Sequence, residues 1–279
     1  MNLAWAGNCI LRWGICYSGT MHELRQKVVL VTGGSGGLGR ALAHAFARQG
    51  SAVVIAGRSE EKLKRAAMEV SQEGGRIMSL PCDVTRRHQV KALGEAIRAE
   101  WGMVQILVNN AGVARAVGFL EMEDSLWDET LQTNLTGTYN CCKVFLPGMI
   151  ETGWGRIINI ASTSAKVAYS HASAYTSSKH GVLGLTRALA VETARLGVTV
   201  NAICPGYLDD ELTHDNARAM AVKTGKKLED ILRLFAQSAP QKRLIAPAEV
   251  AALALMIAAE KAGGITGQAI NVDGGAVMA

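Results

Sequence analysis

The architecture of this chain is indicated by Val28-Val29-Leu30-Val31-Thr32-Gly33-Gly34-Ser35-Gly36-Gly37-Leu38-Gly39. Its β-branched beginning predicts a buried strand, and Arg40 to Ala47 predicts a helix. The glycines between them permit a tight turn and let a pyrophosphate approach without a Cβ in the way. The free N–H groups and the dipole at the helix start favour phosphate charge. Strand, glycine turn and helix in this order predict a nucleotide site, whereas an isolated glycine-rich turn would indicate only a flexible loop.

Strand-like and helix-like segments alternate along the rest of the chain. Further strands are predicted at 53–56, 76–81, 104–108, 156–160, 198–202 and 268–272, and helices at 60–72, 86–101, 125–151, 172–196 and 248–259. Apolar strands that alternate with helices predict an α/β fold, a single-domain doubly wound (Rossmann-type) parallel sheet with helices on both faces. We expect residues 21–279 to form this one catalytic domain and residues 1–20 to be an extension outside it.

Composition narrows the class of protein. The 279 residues are 49% hydrophobic and carry a net charge of +5, with no dense basic run, so no nucleic-acid partner is predicted. No Cys-x-x-Cys and no zinc-like Cys/His spacing occurs, so no metal is predicted, and Cys82 and Cys204 are expected to be buried thiols. The N-terminal residues lack the pattern of a signal peptide. We therefore expect a cytoplasmic protein with no membrane partner.

Tyr175 and Lys179 are four residues apart in a predicted helix, so they share one face. A lysine ammonium beside a phenol favours the phenolate and lowers the phenol pKa from about 10, which makes the tyrosine a usable proton donor or acceptor. Ser162 lies upstream, just after a predicted strand. Taken singly, such a pair is as well explained by a surface helix, and such a serine by a turn or cap.

A series of motifs connects this pair to the glycine turn. In chain order they are Gly33-x-x-x-Gly37-x-Gly39, Asp83-Val84, Asn109-Asn110-Ala111-Gly112, Asn134, Ser162, Tyr175-x-x-x-Lys179 and Pro205-Gly206. With these motifs in this order, the chain resembles the short-chain dehydrogenase/reductase family from about Lys27 to its C-terminus.

The resemblance implies a set of catalytic roles. Tyr175 would be the general acid in carbonyl reduction and the base in alcohol oxidation. Lys179 would lower its pKa and bind the nicotinamide ribose, and Ser162 would hold the substrate oxygen. Asn134 would support a water chain from Lys179 to solvent. The hydride would come from the cofactor.

The resemblance also implies the residues that bind the dinucleotide. They are Gly33, Ser35, Gly36, Gly37, Leu38, Gly39, Arg58, Asp83, Val84, Asn110, Ala111, Gly112, Tyr175, Lys179, Pro205 and Gly206. Asp83 and Val84 would lie against the adenine. The alternative for Asn110 to Gly112 is that they mainly shape the turn.

The end of the second strand bears on the choice of cofactor. An acidic residue there would bind the ribose 2′-hydroxyl of NAD, but this chain has Ala56-Gly57-Arg58-Ser59. Gly57 leaves space, and Arg58 can pair with a 2′-phosphate. NADP(H) is therefore favoured and NAD(H) remains possible. The alternative is that Arg58 caps a surface helix.

One position departs from the family pattern. Where the family often has a threonine that contacts the nicotinamide carboxamide, this chain has Asp210, which when ionised accepts but cannot donate hydrogen bonds. Because Asp209, Asp210 and Glu211 are consecutive acids, an anionic carboxylate substrate nearby is less favoured.

Residues 207–245 are predicted to be a lid that selects the substrate. Leu228, Ile231, Leu232 and Phe235 have helical spacing, which fits either a lid helix over an apolar pocket or packing in the core or against a subunit. Ser164, His171 and Tyr207 are further candidates for contact with substrate.

The segment around Tyr175 and the long predicted lid resemble bacterial ketoreductases and hydroxyacyl dehydrogenases. The leading interpretation is an NAD(P)(H)-dependent oxidoreductase that reduces a ketone, such as a 3-oxoacyl thioester, to a secondary alcohol. The alternatives are an NAD-dependent dehydrogenase that works oxidatively on a secondary alcohol and a non-catalytic nucleotide-sensing protein. The family also implies a homotetramer or homodimer.

Overall fold

The structure is a computed structural model, and it describes residues 22–278. The expectations about residues 1–20 lie outside the described residues. One parallel sheet, with strand order β3-β2-β1-β4-β5-β6-β7, organises the described chain. Its strands are β1 Val28–Thr32, β2 Ala52–Gly57, β3 Arg76–Pro81, β4 Ile106–Asn109, β5 Gly155–Ile160, β6 Val198–Pro205 and β7 Ala269–Val272.

Helices connect these strands along the described chain. They are α1 Gly37–Arg48, α2 Glu60–Gln72, α3 Arg87–Trp101, α4 Asp124–Leu131, α5 Gly137–Glu151, α6 Ser173–Thr193, α7 Glu211–Thr224, α8 Leu228–Gln237 and α9 Pro247–Ala258. The predicted doubly wound α/β fold is confirmed.

Two apolar cores hold the helices on opposite faces of the sheet. Leu42 and Phe46 of α1 and Val250 of α9 pack with Val29 on one face, whereas Phe145 of α5 packs on the other face. The central strands are buried on both faces, which is why they are continuous apolar runs without polar alternation. Cys82 and Cys204 are buried thiols, as predicted.

The strand order reverses between β1 and β4, since both pair directly in the middle of the sheet. In an open parallel sheet the crevice beyond the carboxyl ends of strands at such a reversal is where ligands bind. The glycine turn follows β1 here, and Asn110 follows β4. The topology therefore brings two of the predicted cofactor motifs to one place.

The structure differs from the predicted elements at two places. The expected single helix at 125–151 is two helices, α4 and α5, joined by one turn of π-helix at Gln132–Thr136. The segment at 207–245 contains the helix indicated by Leu228 to Phe235, α8, and also a second helix, α7, which was not predicted. In the described part of the chain, no helix has both the length and the apolar character needed to cross a membrane.

Candidate active site

The glycine turn forms a backbone cradle at the start of α1. Gly33 has a φ of +63°, and a Cβ there would lie 2.9 Å from the Cα of Ala111. A Cβ on Gly36 would meet only the Gly33 carbonyl, at 3.7 Å, so that side of the turn is open. Gly36 is the N-cap residue of α1, and no side chain caps the helix. The first N–H groups of α1 are thus left for a ligand, and the cradle fits a pyrophosphate.

The segment after β4 is tied to this turn. The amide of Asn110 donates from Nδ2 to the carbonyls of Thr32 and Gly33 at 3.0 and 3.1 Å. The hydroxyl of Thr32 accepts hydrogen bonds from the backbone N–H groups of Asn110 and Ala111 at 3.0 and 3.1 Å. The Asn110 side chain therefore holds the glycine turn in shape, as in the alternative given above. The Thr32 contribution was not predicted, although Thr32 ends the strand that leads into the turn.

The end of β2 lies beside the turn. A Cβ on Gly57 would lie 3.7 Å from the Ser35 hydroxyl, so Ser35 and the exposed Arg58 border the same space. Ser59, rather than Arg58, is the N-cap residue of α2, with its hydroxyl accepting from the Lys62 N–H at 3.4 Å. The alternative that Arg58 caps this helix is therefore wrong.

The loop after β3 is ordered by its own aspartate. The Asp83 carboxylate accepts from the backbone N–H and the hydroxyl of Thr85 at 3.0 and 2.8 Å. The carbonyl of Val84 accepts from the Asn140 amide at 2.9 Å. Both residues are thus fixed at the carboxyl end of the sheet, on the β3 side of the glycine turn.

Ser162, Tyr175 and Lys179 come together at the carboxyl end of β5. Lys179 is 5% exposed, and its Nζ donates to the Ile160 carbonyl at 2.7 Å. The same Nζ lies 5.6 Å from the centroid of the Tyr175 ring. The Ser162 hydroxyl accepts a hydrogen bond from the Ser164 N–H at 3.1 Å. It also forms a hydrogen bond with the Tyr175 phenol. These three side chains are therefore held as one cluster.

Burial controls the protonation of this cluster. It raises the pKa of Tyr175 to about 12, against the hydrogen-bonding influence of Ser162, which lowers it. Burial also lowers the pKa of Lys179 to about 8. The expectation that Lys179 depresses the phenol pKa is not met in this structure, because removal of the phenol from water outweighs other influences on it. Tyr175 is accordingly a protonated phenol at neutral pH.

Asn134 lies within the turn of π-helix and is buried. Its Oδ1 accepts from the Val113 N–H at 2.8 Å, and its Nδ2 donates to the Val113 carbonyl at 2.9 Å and to the Ser178 hydroxyl at 3.0 Å. A Cβ on Gly112 would lie 3.2 Å from Asn134 Oδ1 and 3.7 Å from Lys179 Nζ. The π-turn thus presents Asn134 beside Lys179, which the helical pattern of the sequence could not show.

The three candidates for substrate contact occupy different settings. Ser164 is buried behind Ser162, and His171 is exposed with its Nδ1 3.0 Å from the Ser170 hydroxyl. Tyr207 is 40% exposed and stacks on Phe235 of α8, with ring centroids 4.3 Å apart.

Two further tyrosines, Tyr207 and Tyr169, lie near the cluster of Ser162, Tyr175 and Lys179. Tyr207 is close enough to act electrostatically on the Tyr175 phenol. Tyr169, which was not predicted, donates from its phenol to the Thr163 hydroxyl at 3.1 Å and acts electrostatically on Tyr207. Of the predicted substrate contacts, Tyr207 is therefore the one whose side chain is both partly exposed and near the proton donor.

β6 ends at Pro205, and Gly206 follows it. Gly206 lies against Asp273, whose Cα and Cβ would both be 3.1 Å from a Cβ there. The chain then leads to Asp210, which is the N-cap residue of α7 and accepts from the Thr213 N–H at 3.0 Å. Within residues 22–278, no group of three or more His, Cys, Asp or Glu side chains is gathered as metal ligands.

A nucleotide cradle at the reversal of a parallel sheet, with a tyrosine, a lysine and a serine beside it, defines a dinucleotide-dependent oxidoreductase. Residues 27–221 match the family model described as short chain dehydrogenase. The chain belongs to this family and is an NAD(P)-dependent oxidoreductase.

Similar proteins include both reductases and dehydrogenases. A putative ketoacyl reductase of Streptomyces coelicolor is 37% identical over 90% of this chain and 97% of its own. A D-beta-hydroxybutyrate dehydrogenase of Cupriavidus necator is 35% identical over 90% of this chain and 98% of its own. Among solved structures, a point variant of actinorhodin polyketide ketoreductase with NADPH has a TM-score of 0.88 and 36% identity, over 90% of this chain and 97% of that one.

Proposed function

We propose that this protein is an NADP(H)-dependent ketoreductase, which reduces a 3-oxoacyl thioester or a similar ketone to a secondary alcohol. The observation that carries this proposal is the protonated Tyr175 phenol beside the Ser162 hydroxyl. Reduction of a ketone needs a proton donor at the developing alkoxide, and burial raises the pKa of Tyr175 to about 12. Because the same phenol would be the acid in reduction and the base in oxidation, the reductive direction is supported by the relatives named ketoacyl reductase and polyketide ketoreductase.

The proposed roles follow from the geometry of the cluster. Ser162 and Tyr175 would hold the carbonyl oxygen, and Tyr175 would donate its proton to that oxygen. Lys179, 5.6 Å from the Tyr175 ring, would stabilise the phenolate that remains. Asn134, adjacent to Lys179, would position the group that returns a proton from solvent. The dinucleotide, when bound, supplies the hydride.

Three parts of the structure support the proposed cofactor site. The glycine turn from Gly33 to Gly39 would hold the pyrophosphate, and Asp83 and Val84 would border the adenine. Arg58, exposed at the end of β2 beside Ser35, supports a preference for NADP(H), because a guanidinium and a hydroxyl are suitable partners for a 2′-phosphate.

The substrate class is supported by relatives and by charge. The Streptomyces relative is named a ketoacyl reductase, and the actinorhodin protein is a polyketide ketoreductase. Asp209, Asp210 and Glu211 place acids at the start of α7, and they disfavour a free carboxylate such as hydroxybutyrate. We propose residues 207–245 as the segment that selects the substrate, with Tyr207 and Phe235 as an aromatic surface in it.

We further propose that the protein works in the cytoplasm as a homotetramer or homodimer. Exposed apolar side chains on the outer faces of two helices support the assembly. They are Tyr139 and Ile150 on α5, 41% and 37% exposed, and Val191 on α6, 80% exposed. Such side chains would be covered in an assembly through these helices.

The test is reduction of a synthetic 3-oxoacyl thioester, followed by the loss of nicotinamide absorbance with NADPH and with NADH. We expect turnover with NADPH and at least about tenfold lower kcat/KM with NADH. In Arg58→Asp the ratio of kcat/KM with NADPH to kcat/KM with NADH should fall by about tenfold or more. The reason is that a carboxylate at this position would repel the 2′-phosphate that the guanidinium attracts. Arg65→Asp on the exposed face of α2 is the control and should leave the ratio unchanged. Turnover with NADH alone, or only in the oxidative direction, would contradict the proposal.

A further inference from the structure

Asp210 makes close contact with the cofactor cradle. A Cβ placed on Gly37, in the first turn of α1, would lie 2.8 Å from the Asp210 Cβ. The start of α7 is therefore packed directly on the start of α1. An ion pair of 3.1 Å between Arg40 of α1 and Glu211 of α7 fastens the same contact.

The Asp210 carboxylate also acts on the proton donor. Its negative charge is among the influences that raise the pKa of the Tyr175 phenol, after burial. Asp210 is therefore within electrostatic range of both the glycine turn and Tyr175. Hydride and proton must reach adjacent atoms of one carbonyl, so a nicotinamide bound for reaction lies close to Tyr175 and connects back to the turn. Asp210, which contacts the turn at Gly37 and acts electrostatically on Tyr175, would lie near a dinucleotide that connects the two.

The carboxylate has partners that hold it but do not neutralise it. It accepts from the backbone N–H of Thr213 at 3.0 Å, and the Thr213 hydroxyl and the Leu212 N–H also bond to it. Asp209 is paired with His214 at 2.8 Å, and Glu211 is paired with Arg40.

The positively charged or titratable side chains that line the same pocket as Asp210 are paired with other acids. Arg40 is paired with Glu211, Arg218 with Asp215 and His214 with Asp209. Glu211 and Tyr175, which interact electrostatically with Asp210, add no positive charge. The Asp210 carboxylate is thus a half-exposed negative charge that is held in place beside the cradle and remains available to a bound ligand.

A charge at this place distinguishes the two redox forms of the cofactor. The oxidised nicotinamide ring carries a positive charge and the reduced ring is neutral, whereas the phosphates are the same in both. We propose that the Asp210 carboxylate makes the site bind the oxidised dinucleotide in preference to the reduced one. During reduction it would also stabilise the positive charge that develops on the ring as the hydride leaves.

The inference rests on the proposed cofactor site and not on the proposed substrate. Burial raises the pKa of Asp210, so its charge is lost at a higher pH than that of an ordinary aspartate. The preference for the oxidised form should be fully present above the Asp210 pKa and disappear as the pH falls through it. The adjacent Asp209 is exposed, so water and salt screen its charge, and it should have no such effect.

The experiment is calorimetric titration of the whole protein with NADP⁺ and NADPH, and with NAD⁺ and NADH, across about pH 5 to 9. The measured quantity is the ratio of the reduced-form Kd to the oxidised-form Kd for the pair that binds more tightly. In Asp210→Asn, which keeps an N-cap side chain, we expect this ratio to fall about fivefold at pH 8. As the pH falls towards the Asp210 pKa, the ratio of the unmodified protein should move towards that of the variant.

Asp210→Thr should repeat the result with a second neutral N-cap residue, and thermal unfolding without cofactor checks that both variants fold. Asp209→Asn should keep the original ratio. If the ratio stays within about twofold of the original in both Asp210 variants, the inference about Asp210 is overturned. The proposed function would stand in that case, because the protein would still bind the cofactor. Binding of neither pair to the unmodified protein would overturn the proposed function as well.

Discussion

The catalytic cluster and the segment at 207–245 adjoin each other but differ in how exposed their polar contacts are. Lys179 and Asn134 are buried, and their polar atoms bond to the backbone carbonyls of Ile160 and Val113. The 207–245 segment is anchored by buried side chains such as Ile231, but its ion pairs, such as Lys223–Glu121 at 3.4 Å, lie at the surface. Its exposed apolar side chains include Leu212, Met220 and Leu234.

This contrast supports the proposed division between a segment that performs the chemistry and a segment that selects the substrate. A buried hydrogen bond is costly to break, because the abandoned group loses both its partner and water. An exposed ion pair contributes roughly 0–1 kcal/mol and can rearrange at little cost. The cluster is therefore built to keep one geometry, whereas the exposed ion pairs of the 207–245 segment, which we propose selects the substrate, can rearrange.

The largest expected effect follows from Tyr175→Phe, which removes the proton donor and retains the ring. We expect kcat to fall by about 1,000-fold or more, since general acid catalysis contributes on this scale. Calorimetry should show that NADPH still binds, because the glycine turn is untouched. Tyr139→Phe on the exposed face of α5 is the control. Retained turnover in Tyr175→Phe would remove the cluster from the chemistry.

Asn134→Ala should have an intermediate effect on both stability and turnover. The N–H and carbonyl of Val113 and the Ser178 hydroxyl lose partners, so we expect a loss of about 2 kcal/mol in the free energy of unfolding. We expect kcat to fall by about 10- to 100-fold as the π-turn relaxes beside Lys179. Denaturant unfolding measures the free energy of unfolding, and steady-state kinetics measure kcat. Asn216→Ala on α7 is the control. An unchanged free energy of unfolding would show that the buried hydrogen bonds of Asn134 do not hold the catalytic cluster in place.

The smallest expected effect follows from Lys223→Ala, which removes the ion pair with Glu121. Stability should change by less than about 1 kcal/mol, because both groups are exposed. Any kinetic change should be within about threefold and appear in KM for substrate rather than in kcat. A large fall in kcat would mean that the 207–245 segment takes part in the chemistry.

Much of the fold was predictable because its signals are local. The apolar strands, the turn from Gly33 to Gly39 and the face shared by Tyr175 and Lys179 depend on residues close in sequence. Helix α8 was also indicated by the spacing of Leu228, Ile231 and Phe235, and it is confirmed.

The remaining features depend on contacts between distant segments. The π-turn at Gln132–Thr136 presents Asn134 to Val113 and Ser178, which no local pattern encodes. Helix α7 has a largely polar sequence with little separation of apolar and polar faces, and it starts at the Asp210 cap. The direction of the Tyr175 pKa shift was mispredicted because the sequence placed the lysine correctly but did not show how far the phenol is removed from water.

The most direct test of the central claim is the pH dependence of kcat/KM for NADPH-dependent ketone reduction. Tyr175 should remain a protonated donor across the accessible range, because its pKa is raised to about 12. The pKa of Lys179 is lowered to about 8, and above that pH it loses the charge that stabilises the phenolate. We therefore predict a flat profile from about pH 6 to neutrality and a decline near pH 8. A rate that rises through pH 8 would mean that the active form is a base, and it would contradict the account.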